Sequence, residues 1–144
     1  MRDEAFCHPT FVRLRVSDGD DTSEIDVSYD WQWRDSVPTS VGPARSPQEL
    51  AVDKLLALFG RAAPRDFVDV YVLAQDHGIE NILRWAPEKD SGFSVYFLAE
   101  GLGRMVTLDR ELFEVDDKTF AAMSEFYARL RAELIRQTVE EPPT

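Results

Sequence analysis

Lys54, Asp66 and Asp69 are the side chains whose types and spacing point most directly to chemistry. Lys54 sits inside an otherwise apolar stretch, Ala51-Val-Asp-Lys-Leu-Leu-Ala-Leu-Phe59. Asp66 and Asp69 are three residues apart, so on a helix they share a face, with Arg65 four residues before Asp69. An ammonium group beside carboxylates suits phosphate chemistry. The lysine acts as a point charge on a triphosphate. The carboxylates hold Mg²⁺ or take a proton from an attacking hydroxyl. The same residues also read as a surface ion-pair network, which contributes little to stability. Spacing alone leaves both readings open.

These residues need elements to position them. Ser46-Pro47-Gln48-Glu49 announces a helix: Ser46 as N-cap, Pro47 at N1 and Glu49 closing a capping box. The pattern predicts a helix to about Phe59, ended by Gly60, with Leu50, Leu55, Leu58 and Phe59 as core. Lys54, Ala57 and Arg61 form a second stripe on it. A second helix is predicted from Pro64 to about Asp76, stopped by Gly78, with Phe67, Val70, Tyr71 and Ala74 as its apolar face. The short link makes the two helices antiparallel neighbours, which brings Lys54 toward Asp66 and Asp69.

Upstream, Phe11–Val16 and Glu24–Trp31 alternate, with Asp18-Gly19 in the turn between them, and read as an antiparallel hairpin. Ile25, Val27, Tyr29 and Trp31 point to one side, and Asp26, Ser28 and Asp30 to the other. Residues 32–45, with Pro38, Gly42 and Pro43, read as a loop. Further helices are predicted at 79–86, ended by Pro87, and at 117–137, with 104–115 irregular; residues 92–100 read as either strand or helix, with helix favoured. Phe120, Met123, Tyr127, Leu130 and Leu134 form the apolar stripe of the last helix. The expected fold is α+β: a short antiparallel or mixed sheet followed by a helical C-terminal half. It is read as a single domain over 1–144: hairpin and loop at 1–45, helical part at 46–137 and a frayed tail at 138–144.

The chain has 144 residues, a formal net charge of −11 and a pI near 4.5. That balance argues against a protein that coats nucleic acid or anionic membranes, but not against a local basic pocket. No stretch approaches the ~20 apolar residues of a membrane helix, and none resembles a leader peptide. The lone Cys7 permits no intramolecular disulfide, and a reducing, cytoplasmic setting is expected. Cys7 and His8 are adjacent, but a catalytic dyad also needs a cleft and an orienting group. Trp31, Trp33 and Trp85 read as packing residues, and His77 as a helix C-terminal residue.

Lys54-Leu-Leu-Ala57-Leu-Phe-Gly-Arg61 resembles the K-x-x-A-x-x-x-R motif of the AbiEii/AbiGii toxin family of nucleotidyltransferases, and Arg65-Asp66-Phe-Val-Asp69 resembles its R-D-x-x-D. The approach Ser46-Pro-Gln-Glu-Leu-Ala-Val-Asp-Lys54 and the continuation Asp69-Val-Tyr71 are similar too. The resemblance is strongest over residues 46–75. It implies a partial nucleotidyltransferase-like fold of the DNA polymerase β type, in a bacterial toxin–antitoxin setting. The activity it implies is nucleotide transfer from an NTP to an acceptor, with Mg²⁺, and RNA as acceptor is left open. By analogy Lys54 contacts the NTP phosphates, and Asp66 is the general base or orients the acceptor. Asp69 supports it, and Arg61 and Arg65 are phosphate ligands or orient the carboxylates. Asp26 stands where the fold usually places a third, metal-binding carboxylate, with Asp30 a weaker choice. The family's N-terminal Gly-Gly or Gly-Ser turn and Asp-x-Asp strand have no counterpart here, since Asp18-Gly19-Asp20 reads as turn chemistry. The expectation is therefore a chain that does not catalyse alone, that partners an antitoxin, and that self-associates through an uncovered sheet edge. The alternative is a non-catalytic protein-binding module.

Overall fold

The computed structural model describes the backbone of residues 2–140 and the side chains of residues 9–139. The chain divides into two compact units, residues 1–32 and 33–144.

The first unit is an antiparallel sheet in the order β1 (Arg2–His8), β2 (Phe11–Asp18), β3 (Asp21–Ser28). β2 and β3 form the predicted hairpin, and Gly19 supplies a φ of 61° in its two-residue turn. The register sets Val12 opposite Val27 and Leu14 opposite Ile25 on one face, and Arg13 opposite Asp26 and Arg15 opposite Glu24 on the other. β3 stops at Ser28, so Tyr29 and Trp31 lie beyond the strand to which alternation assigned them. The Cys7–His8 pair falls on β1, and its side chains lie outside the described residues.

The second unit opens with a small hairpin, β4 (Val37–Thr39) and β5 (Gly42–Ala44), where a loop was expected. Pro38 faces Pro43. The two-residue turn makes that pair the non-hydrogen-bonded one, so neither missing N–H is needed. Strands of three residues with a proline in each carry no readable alternation.

Five helices follow: α1 (Pro47–Arg61), α2 (Pro64–His77), α3 (Ile79–Lys89), α4 (Val95–Leu102) and α5 (Asp117–Glu140). Two 3₁₀ turns, Gly103–Thr107 and Arg110–Phe113, occupy most of the stretch read as irregular. α1 passes through Gly60 and ends on Ala62, which takes a left-handed φ of 47° and donates to the Leu58 carbonyl. The tight link to Pro64 imposes that conformation on a non-glycine residue, at a cost of about 1–2 kcal/mol. α3 likewise continues past Pro87 to Lys89, because contacts to α1 described below hold its last turn. α5 runs through Glu140, so residues 138–140 of the expected tail are helical, and 141–144 lie outside the described residues.

The core gathers the inner faces of all five helices, with Val52, Leu55, Phe67, Ile82, Leu98 and Met123 fully or nearly fully buried. Leu50, read as core, is instead exposed, and its neighbours Ala51 and Val52 point inward. Tyr127 packs edge-on against Phe67 at 5.1 Å and donates its hydroxyl to the Phe67 carbonyl at 2.6 Å, fixing α5 on α2. No helix among the described residues is long and apolar enough to cross a membrane.

Candidate functional site

α1 and α2 pack side by side, and two ion pairs join them. Lys54 Nζ lies 2.7 Å from Asp69 Oδ2, and both side chains are about one-third exposed (37% and 36%). At the other end of the pair, Arg61 grips Asp66 with two bonds, Nε to Oδ2 at 2.8 Å and Nη2 to Oδ1 at 2.7 Å. Asp66 is fully buried, and its Oδ2 also accepts the Ala63 N–H at 3.0 Å, capping α2. The two sequence motifs therefore interlock: the first and last charged residues of K-x-x-A-x-x-x-R each take one aspartate of R-D-x-x-D. Arg65, on the first turn of α2, points to solvent. Asp26 lies in the other unit, where Arg13 occupies both its oxygens at 2.7 and 2.8 Å. That hydrogen-bonded pair holds the Asp26 carboxyl below its ordinary range.

The two aspartates of the site differ in what they still offer. Burial pushes the Asp66 carboxyl up, but the hydrogen bonds from Arg61 and Ala63 and the charges of Arg61 and Arg65 outweigh it, and the net direction is down. Asp66 is thus a fixed anion with both oxygens engaged. Asp69 uses only Oδ2 among the described hydrogen bonds, and Lys54 spends one of its three donors. The outward side of the Lys54–Asp69 pair therefore still has both donor and acceptor capacity.

A second polar cluster, missed in the sequence, lies on the α3 side of α1. Glu49 is fully buried. Its carboxylate accepts the Trp33 and Arg34 N–H groups at 2.7–3.1 Å and Lys89 Nζ at 2.6 Å. It does not reach back to close the expected capping box, although Ser46 does cap the Glu49 N–H at 3.1 Å. Lys89 also binds Asp53, which pairs with Arg45. The available signal was the four-residue spacing of Glu49 and Asp53 on one helix face. Their partner lies 40 and 36 residues away, beyond any local pattern.

For Glu49, burial raises the carboxyl pKa, and the bonds from Lys89, Trp33 and Arg34 outweigh it, leaving it lowered. Lys89 is the mirror case: burial lowers its pKa, and Asp53 and Glu49 raise it further, so it ends raised. The depressed carboxyls give stability that is complete above their unfolded pKa values of about 4 and is lost as pH falls through the folded values. The raised lysine gives stability that is complete below about 10.4 and is lost as pH rises through its folded value. Urea midpoints should therefore hold level between about pH 5 and 10 and fall steeply below about pH 4. The acid limb should flatten in Asp66→Asn. An unchanged limb in that variant would remove Asp66 as a contributor.

A family model described as "Nucleotidyl transferase AbiEii toxin, Type IV TA system" matches residues 9–142. No curated protein and no solved structure matches the chain.

Proposed function

The chain belongs to the AbiEii nucleotidyl transferase toxin family of type IV toxin–antitoxin systems, and from that premise we propose that its α1–α2 face handles phosphate in nucleotide transfer from a nucleoside triphosphate to an acceptor. The observation that carries the reading is the interlock of the two motifs, with Lys54 on Asp69 at 2.7 Å and Arg61 on Asp66 at 2.7–2.8 Å. In this reading Lys54 turns its remaining donors to the triphosphate while Asp69 holds its ammonium in place. Asp69, with an oxygen to spare, takes the proton of the acceptor hydroxyl. Asp66, which the resemblance makes the general base or an orienter of the acceptor, in this reading orients Arg61 toward phosphate, because both its oxygens are already hydrogen-bonded.

The family's chemistry also implies a divalent metal. Among the described residues no three His, Cys, Asp or Glu side chains gather to hold one, and the oxygens of Asp26 are taken by Arg13. These residues do not fit a resident metal, and no step above runs through one. The proposal gives this chain nucleotide binding and proton handling, in the cytoplasm, and leaves metal-holding carboxylates to residues outside this set. On that division the chain does not complete the transfer alone.

Calorimetric titration with ATP, CTP, GTP and UTP, with and without Mg²⁺, tests the reading. Lys54→Ala should weaken triphosphate binding about tenfold or more, the loss of one charge-assisted contact. Absence of binding to the unaltered chain at millimolar nucleotide would overturn it.

One observation favours a second reading, a non-catalytic module that engages an antitoxin or another copy of the chain. Val12, Leu14, Ile25 and Val27 share one sheet face, and among the described residues that unit has no second layer to cover them. A sedimentation experiment that finds a monodisperse monomer at high concentration counts against self-association.

A further inference from the structure

We propose that Arg104 completes a phosphate-binding cradle with Arg61 and Arg65 at the junction of α1 and α2, separate from the Lys54 end of the same face. The inference rests on the reading of that face as a phosphate site and goes beyond it by a residue that neither motif contains.

Arg104 belongs to the 3₁₀ turn after α4, 43 residues from Arg61 in sequence, yet its Nη1 donates to the Arg61 carbonyl at 2.9 Å. The bond sets an exposed guanidinium at the C-terminal end of α1, beside the residue that grips Asp66. Among the described residues it is Arg104's only side-chain hydrogen bond, which leaves most of its five donors unspent. Arg65, exposed on the first turn of α2 and four residues after Arg61 across the α1–α2 link, joins no ion pair among the described residues.

Charge balance separates the two ends of the face. At the Lys54 end one ammonium meets one carboxylate. At the junction Arg61 is paired with Asp66, while Arg65 and Arg104, the latter tied to the Arg61 carbonyl, pair with no carboxylate among the described residues, so two positive charges there lack a carboxylate partner in a chain whose net charge is −11. Lys54 and Arg61 are seven residues apart on α1, about 10 Å along the axis. That separation allows one extended polyanion to touch both ends, or two phosphate groups to occupy them separately. The planar forks of arginine suit phosphate oxygens better than an ammonium does. The ligand is therefore a phosphate-bearing chain, either the triphosphate of a nucleotide or the phosphodiester backbone of an acceptor strand.

The test titrates the full chain with inorganic tripolyphosphate, with ATP and with a short single-stranded oligonucleotide, each over a range of salt. Arg104→Gln should weaken tripolyphosphate binding about 3–10-fold and reduce the salt slope by about one. Arg104→Lys should keep most of the slope. Because Arg104 is exposed, its thermal midpoint should move little, which separates a lost ligand contact from a lost structural tie. If Arg104→Gln affects the oligonucleotide and not ATP, the cradle holds the acceptor's phosphate; the reverse pattern assigns it to the nucleotide. Unchanged affinity and slope for all three probes, or no tripolyphosphate binding by the unaltered chain, would overturn the cradle. Lys54-dependent ATP binding that survives alongside an inert Arg104 would leave the Lys54 site standing. Arg104-dependent tripolyphosphate binding without any ATP binding would do the opposite.

Discussion

Lys89→Ala is expected to destabilise the helical unit by about 3–5 kcal/mol, the usual consequence of removing one partner from a buried ion pair. Lys89 is 6% exposed and Glu49 not at all. Lys89 also neutralises Asp53, so its loss leaves the buried Glu49 with only the more distant Arg45 guanidinium at 3.6 Å, which it must share with Asp53. The Trp33 and Arg34 N–H groups still bond Glu49 but bring no full charge to it. Thermal melting should fall by roughly 10 °C. A compensating pair, Lys89→Met with Glu49→Gln, should recover a large part, because it removes both charges and keeps the volume. A loss below about 1 kcal/mol for Lys89→Ala would mean that Arg45 or water compensates Glu49 and that Lys89 is not the clamp described. The consequence extends past stability. Lys89 holds the last turn of α3 beyond Pro87, and Glu49 holds the strand of backbone at Trp33–Arg34, both against the helix that carries Lys54.

Asp66→Ala is expected to cost about 2–4 kcal/mol in stability, through two losses that coincide in one side chain. The bidentate bond from Arg61 disappears, and so does the cap on the Ala63 N–H at the start of α2. Asp66→Asn keeps the shape and an acceptor for Ala63, so it should lose less and should also lose the Asp66 share of the acid-side pH dependence, with the Glu49 share remaining. Arg61 is half exposed and, once released, swings into solvent. Phosphate affinity at the α1–α2 junction should then drop in Asp66→Asn even where folding is retained, because a free guanidinium is no longer aimed. Folding and phosphate affinity both unchanged in Asp66→Asn would show that Asp66 neither orients Arg61 nor anchors α2.

The α1–α2 pair was legible because everything that specifies it is local. Ser46 and Pro47 start one helix and Pro64 the next, the link is short, and the charged residues repeat at steps of three and four. Given two antiparallel neighbours, Lys54 had to approach the aspartates. Which aspartate it meets was not readable, since that depends on the helices' rotation and offset, and packing of Phe67 and Val70 against Leu55 and Leu58 decides it. The β2–β3 hairpin was readable for the same local reason, an Asp-Gly turn between alternating strands.

The places where reading failed share a cause. Gly60 and Pro87 look like stops, yet α1 and α3 run through them, because the short link to Pro64 places the α1 cap at Ala62 and the contacts of Lys89 hold the last turn of α3. Glu49 looks like a capping residue and is instead the buried anion that ties α1, α3 and the segment before β4 together. Sequence by itself determined the helical content and the hairpin, since these rest on periodicity and spacing within about fifteen residues, while the two motifs were recognised by their resemblance to a family. Only the tertiary structure decided which carboxylate is buried and which is open, that Lys89 completes the Glu49 cluster, and that Arg104 ties to the end of α1 through the Arg61 carbonyl. Each of those depends on pairing charges from separate helices, and burial sets the strength of that pairing by removing the water that would otherwise solvate them.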